Sequence, residues 1–243
     1  ARENAVYFIP DNENFSYTAD DLINYFSGKG ISALVLLNPD NPSGNFISRQ
    51  ELLRLCIWAE EKKIRLIIDE SFVDFSTNFH DNSLINNDIL SKYPHLVIIK
   101  SISKSYGVPG LRLGIMVSAD VNLISEINRD LPIWNINAFA EFYMQISCKY
   151  EREYEKACLQ FIEERERFRN ALENTGLLRV IPSQGNYFLC EVSGYSASEL
   201  TKKLLERNIL VKDCSGKKGF EQRKNSYIRI AVRNRQDNEK LVR

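Results

Sequence analysis

Three short apolar runs, each ending in a polar cluster, constrain this chain more than any other feature. ALVLL, residues 33–37, runs into NPDNPSGN (38–45). RLII, residues 65–68, runs into Asp69 and Glu70. LVII, residues 96–99, runs into KSISKSYGVPGLRLG (100–114). Runs of this length, bounded by turn residues, read as strands, and Leu96 to Ile99 as a fully buried one. Between the first two lies ISRQELLRLCIWAEEKK (47–63), a helix with Ser48 as N-cap and Glu51 completing a capping box. Strand, helix, strand at this spacing is a βαβ unit with parallel strands. Open parallel sheets bind ligands at the carboxyl ends of their strands. Asn41, Asp69 and Lys104 each follow one such end.

Each of these residues alone has a plain explanation. Asn41-Pro42-Ser43-Gly44 is turn chemistry. A lone lysine in a serine-rich loop is usually solvated. An Asp-Glu pair after a strand also occurs in P-loop NTPases, but the sequence holds no Gly-x-x-x-x-Gly-Lys-Ser/Thr loop. Their joint order points elsewhere. A lysine expected to be buried just past a strand is costly unless its charge is lost or used. The chemical use is a Schiff base with an aldehyde. Ser101, Ser103, Ser105 and the glycine-bracketed Arg112 suit a phosphate nearby.

The texts NPDNPSGN, DESFVDF and SISKSYGVPGLRLG, in that order, resemble the pyridoxal-phosphate-dependent aminotransferases of fold type I, class I/II. The nearest branch is similar to histidinol-phosphate aminotransferase and threonine-phosphate decarboxylase. The resemblance extends through WNINAFA, GNYFL and SYIRIAVR, essentially the whole chain. It implies an α/β fold: a fold type I large domain with a mostly parallel sheet between helices, incomplete at the N-terminus, plus a smaller α+β C-terminal domain. It also implies pyridoxal 5'-phosphate as cofactor. Lys104 resembles the lysine of the internal aldimine, which then serves as general base and acid at the substrate Cα. Asp69 resembles the carboxylate that pairs with the pyridine nitrogen and keeps the ring an electron sink. Asn41 resembles the amide on the phenolic oxygen. Ser101, Ser103 and Arg112 resemble the phosphate anchors. Arg229 resembles the arginine that grips the substrate carboxylate. Asn186, in a Gly-Asn-Tyr turn, and Arg233, on the face of Arg229 by period two, are further substrate candidates.

Two departures stand out. Where the family usually has a tyrosine that donates to the phenolic oxygen, this chain has Phe72, which cannot donate. The decarboxylase-like branch shares that phenylalanine. The chain is also expected to begin inside the family's large domain. The N-terminal arm, the glycine-containing phosphate turn and the aromatic residue that stacks on the ring would precede it, and ARENAVYFIPDNENFSY supplies none of them.

The remaining sequence sets the outline. Residues 1–135 are expected to form the large domain, 136–176 a long linking helix capped by Gly176, and 177–243 the small domain. TADDLINYF (18–26) reads as a helix and GIMVS (114–118) as a further strand. In the small domain, LLRVIPSQGNYFLCEVS holds two strand-like runs, SASELTKKLLERN is a helix capped by Ser196 or Ser198, and ILVKDC and SYIRIAVR are strands. KGFEQRKNS (218–226) reads as a mobile polar loop.

Composition narrows the class. Thirty-two basic and thirty-two acidic residues cancel, so no polyanion partner is implied. No apolar run is long enough to span a membrane, and no signal peptide opens the chain. Five cysteines without Cys-x-x-Cys spacing read as reduced, mostly buried thiols of a cytoplasmic protein. His80 and His95 are too few for a metal site. The expected function is a pyridoxal-phosphate aminotransferase acting on a small amino acid or amine with a keto acid, as a homodimer without nucleic-acid or membrane partners. A threonine-phosphate type decarboxylase on the same scaffold is the alternative. The two differ in which Cα bond aligns with the π-system. An alternative of another class is a non-catalytic sensor domain that binds the cofactor. That reading predicts a helix-turn-helix module ahead of this segment.

Overall fold

The computed structural model describes residues 5–243; the first four residues of the expected 1–135 domain lie outside the described residues. The chain forms two compact units. One runs through Thr18–Pro39 and Ile47–Phe161; the other comprises the chain up to Tyr17, Asp40–Phe46 and Ile162–Arg243.

The first unit is built on a four-stranded sheet in the order β1 (Ala33–Leu37), β2 (Arg65–Asp69), β3 (Leu96–Ser101), β4 (Gly114–Val117). The first three strands are parallel and β4 is antiparallel to β3. Helix α1 (Ala19–Phe26) starts at a Thr18 capping box, and α2 (Arg49–Glu61) at the expected Ser48–Glu51 box, which satisfies N–H groups that the first turn leaves unpaired. Helices α3 (Phe79–Asn82) and α4 (Asn87–Lys92) lead from β2 to β3, α5 (Ile102–Ser105) follows β3, and α6 (Val121–Asp130) follows β4. Alternation puts Leu34, Leu36, Leu66, Ile68, Leu96 and Ile98 on one face, all at most 6% exposed. Helix α2 packs on β2 and contributes buried Leu52, Leu55, Cys56 and Ala59. Each fully buried aliphatic side chain contributes about 1.5–3 kcal/mol. The other face is only partly covered. Val35 and Ile99 are 61% and 40% exposed, so the run 96–99 is not buried throughout, as the sequence suggested.

The expected linking helix is not continuous. Helix α7 (Ala138–Ser147) and helix α8 (Glu151–Glu173) are separated by a 3-10 turn at Cys148–Tyr150. Past α8, Gly176 adopts φ +67°, and its N–H returns to the Glu173 carbonyl.

The second unit holds an antiparallel sheet in the order β5 (Leu178–Val180), β6 (Tyr187–Val192), β8 (Ser226–Ala231), β7 (Lys212–Asp213), with α9 (Ala197–Glu206), capped by Ser196, and α10 (Arg235–Val242). The ILVKDC run yields a strand of only two residues. Phe188, Leu189 and Cys190 are fully buried, with Phe168 of α8 against Phe188. The loop 218–226 is tied down rather than free. Phe220 is buried in a cluster with Phe15 and Tyr227, and the Arg223 guanidinium donates to the carbonyls of Pro10 and Asn12. Its polar composition hid one aromatic anchor.

Candidate active site

Within the sheet unit, the ends of β2 and β3 and the following turns bring together Asp69, Phe72, Ser101, Ser103, Lys104 and Arg112. Asp69 ends β2, directly opposite Ile99 of β3. One oxygen, Oδ1, accepts the Ser71 N–H at 2.9 Å; Oδ2 has no hydrogen-bond partner among the described residues. Lys104 sits on α5 and is exposed, not buried as the sequence suggested. Its amine forms no ion pair among the described residues and lies 5.8 Å from the centroid of the Phe72 ring, within cation–π range.

The hydroxyls divide into different roles. The Ser101 N–H donates to Ser71 Oγ at 2.9 Å, which fastens the end of β3 to the turn after Asp69. Ser103 is buried; its hydroxyl donates to the Leu113 carbonyl and accepts the Leu113 N–H, both at 3.2 Å. That hydroxyl ties the start of α5 to the main chain before β4. Arg112 is exposed in a left-handed conformation (φ 54°), its Nη1 on the Pro109 carbonyl at 3.2 Å.

Beneath this surface lies a charged cluster that sequence reading missed. Asp74 accepts from Lys100 Nζ through Oδ1 and from Ser105 Oγ through Oδ2, each at 2.7 Å. Glu70, 1% exposed, accepts Ser83 Oγ at 2.6 Å and the Leu84 N–H at 2.8 Å; burial raises its pKa. The only sequence signal was a carboxylate amid the aromatics of Ser-Phe-Val-Asp-Phe.

The other unit gathers a second set. Asn41 Oδ1 accepts from Arg229 Nη1 at 2.7 Å. Arg229, in the middle of β8, also lies over the Tyr187 ring at 5.2 Å, and the Tyr187 hydroxyl donates to the Asp40 carbonyl at 2.7 Å. Asp40 Oδ2 accepts from Ser43 Oγ at 2.5 Å, and burial raises the Asp40 pKa. The turn is set by Gly44 at φ +75°, whose carbonyl takes the Gln184 N–H. Asn186 is half-buried, with its carbonyl on the Val232 N–H. The alternation runs past the end of β8: Val232 is buried with its N–H on the Asn186 carbonyl, Arg233 is exposed, and its Nε bonds Asp237 at 2.7 Å.

A model of the family "Aminotransferase class I and II" matches residues 1–243. The chain belongs to that family. It is 30% identical over 247 residues to the L-serine phosphate decarboxylase of Campylobacter jejuni, covering 99% of this chain and 62% of that protein. It is 32% identical over 215 residues to the threonine-phosphate decarboxylase of Salmonella typhimurium, covering 87% of this chain and 56% of that one. The solved histidinol-phosphate aminotransferase of Clostridium acetobutylicum superposes with a TM-score of 0.85 at 29% identity, over 98% of this chain and 69% of that one. The chain thus spans little more than half the length of these curated relatives. The fold is that of fold type I, and the family's cofactor is pyridoxal 5'-phosphate. The donor set around Lys104 fits that cofactor: an amine without an ion pair and a carboxylate oxygen without a partner among the described residues, and the Arg112 guanidinium in the turn that follows. Among the described residues no group of three or more His, Cys, Asp or Glu could hold a metal, and no helix is long and apolar enough to cross a membrane.

Proposed function

We propose that this chain acts on a small α-amino acid through pyridoxal phosphate attached at Lys104. The observation that carries the proposal is the exposed Lys104 amine, without an ion pair, beside Phe72 at the end of a parallel strand, with Asp69 ending the neighbouring strand. When bound, the cofactor supplies an electron sink for the bonds at the substrate Cα. Lys104 attaches it and, once displaced by substrate, moves a proton at Cα. Asp69, with Oδ2 open, is the group to hold a proton on the ring nitrogen. Ser101, Ser103 and Arg112 are the candidates for the phosphate. Asn41 is the candidate for the phenolic oxygen, and Arg229 for the substrate carboxylate.

The favoured reaction is loss of the α-carboxylate from a small phosphorylated amino acid. Phe72, with no hydroxyl to donate, supports it, as do the serine-phosphate and threonine-phosphate decarboxylases among the relatives. Transamination with a keto acid, the expectation from sequence, is the second reading; the likeness to histidinol-phosphate aminotransferase supports it. The test is to add single amino acids and phosphoamino acids to the cofactor-loaded protein without a keto acid. Released carbon dioxide with an amine product supports decarboxylation. A keto acid with pyridoxamine phosphate supports transamination. Neither product, with any donor, would sink both.

A further inference from the structure

We propose that Asp74 is a positioning residue for Lys104, one carboxylate gripping both sides of the turn that carries the reactive amine. The inference rests on the reading of Lys104 as the cofactor lysine. Lys100, on β3, and Ser105, on α5, bracket Lys104 in sequence, and each donates to a different oxygen of Asp74 at 2.7 Å. The ion pair is sheltered, with Lys100 and Asp74 side chains 13% and 10% exposed. Helix α5 has four residues, too few to hold its own geometry in water. Its amino end is fixed by main chain, Ile102 N–H on the Leu113 carbonyl, and by the Ser103 hydroxyl. The end nearest Lys104 relies on Ser105, and on Tyr106, whose ring stacks flat on Tyr154 at 4.0 Å. Asp74 belongs to the same turn as Phe72, five residues past Asp69. Its carboxylate therefore ties the segment bearing Asp69 and Phe72 to the segment bearing Lys104. A hydroxyl bonded to a charged acceptor is held about twice as firmly as one bonded to a neutral acceptor.

The test measures the rate at which the intact protein attaches pyridoxal phosphate, read from the visible band, with borohydride fixation and mass spectrometry to locate the label. Ser105→Ala is expected to slow attachment about tenfold and to weaken the circular dichroism of the visible band, with the charges untouched. Ser105→Thr, which keeps the hydroxyl, is expected to restore both. Asp74→Asn is expected to match or exceed the alanine variant; if it fails to fold, the Ser105 pair decides alone. An unchanged rate and band in Ser105→Ala, whatever its thermal stability, would overturn the positioning role. A cofactor label retained in Lys104→Ala would instead show that the underlying reading of Lys104 is mistaken.

Discussion

Arg229 donates from Nη1 to Oδ1 of Asn41 at 2.7 Å, joining the middle of β8 to the Asn-Pro-Ser-Gly turn. The bond occupies the amide's oxygen, so Nδ2 is the atom left to donate. A strand arginine thereby sets the orientation of a turn asparagine far away in sequence.

If Arg229 grips a substrate carboxylate, Arg229→Ala should raise KM on the order of tenfold to a hundredfold, the worth of a hydrogen bond between charged groups. Cofactor attachment should change little. Steady-state kinetics beside the visible spectrum separates the two. A variant with lost attachment and unchanged KM would remove the assignment.

Asp69→Asn keeps the size of the side chain and its bond to Ser71 but loses the charge that, in the proposed role, holds a proton on the ring nitrogen. Turnover should fall by about two orders of magnitude or more, the scale of removing one preorganised electrostatic group. The cofactor should still be fixed by borohydride. Near-normal turnover would take that role from Asp69.

Gly44→Ala should destabilise the fold by about 1–3 kcal/mol. The backbone sits at φ +75°, and an added Cβ would stand 2.0 Å from Ser183 Oγ and 2.4 Å from Ser183 Cβ. Ser183→Ala should not rescue it, because the Cβ contact remains. Urea unfolding of the single and double variants reads this directly; full rescue would locate the clash in the hydroxyl alone.

Alkaline pH should unfold this protein through its buried tyrosines. Burial, then the charge of Asp74, raises the Tyr154 pKa above its ordinary 10.0, and burial raises that of Tyr106 as well. Below pH 10 both the folded and unfolded chains keep these protons, and stability is full. Above it the unfolded chain releases them first, so stability falls as pH rises. The Tyr154 hydroxyl lies buried without a well-formed hydrogen bond among the described residues. Tyr154→Phe should therefore cost less than about 1 kcal/mol at neutral pH and flatten the alkaline loss. Urea midpoints between about pH 9 and 11 test this; an unchanged alkaline slope would show that other groups dominate.

Local chemistry was readable in advance wherever a few neighbouring residues decide it. Ser48 and Glu51 cap their helix because the partners are three residues apart. The runs at 33–37, 65–69 and 96–99 pair in parallel because βαβ spacing leaves little choice. The order of Asn41, Asp69 and Lys104 along the chain sufficed to suggest the family that the whole chain matches. Long-range pairings were not readable. Asp74 meets Lys100 and Ser105 across twenty-six and thirty-one residues, and nothing local distinguishes its carboxylate from a solvated one. The bond between the Ser103 hydroxyl and the Leu113 main chain, ten residues on, was not readable either, because a hydroxyl's partner is invisible in sequence. Alternation carries Arg233 to the exposed side as expected, but that its guanidinium bonds Asp237 was not readable from the strand pattern. Sequence thus determined the strands, the caps and the reactive residue types, since backbone hydrogen bonding and apolar periodicity act over short range. Tertiary structure decided which polar group faces which, because a buried charge or hydroxyl is stabilised only by the partner that folding delivers to it.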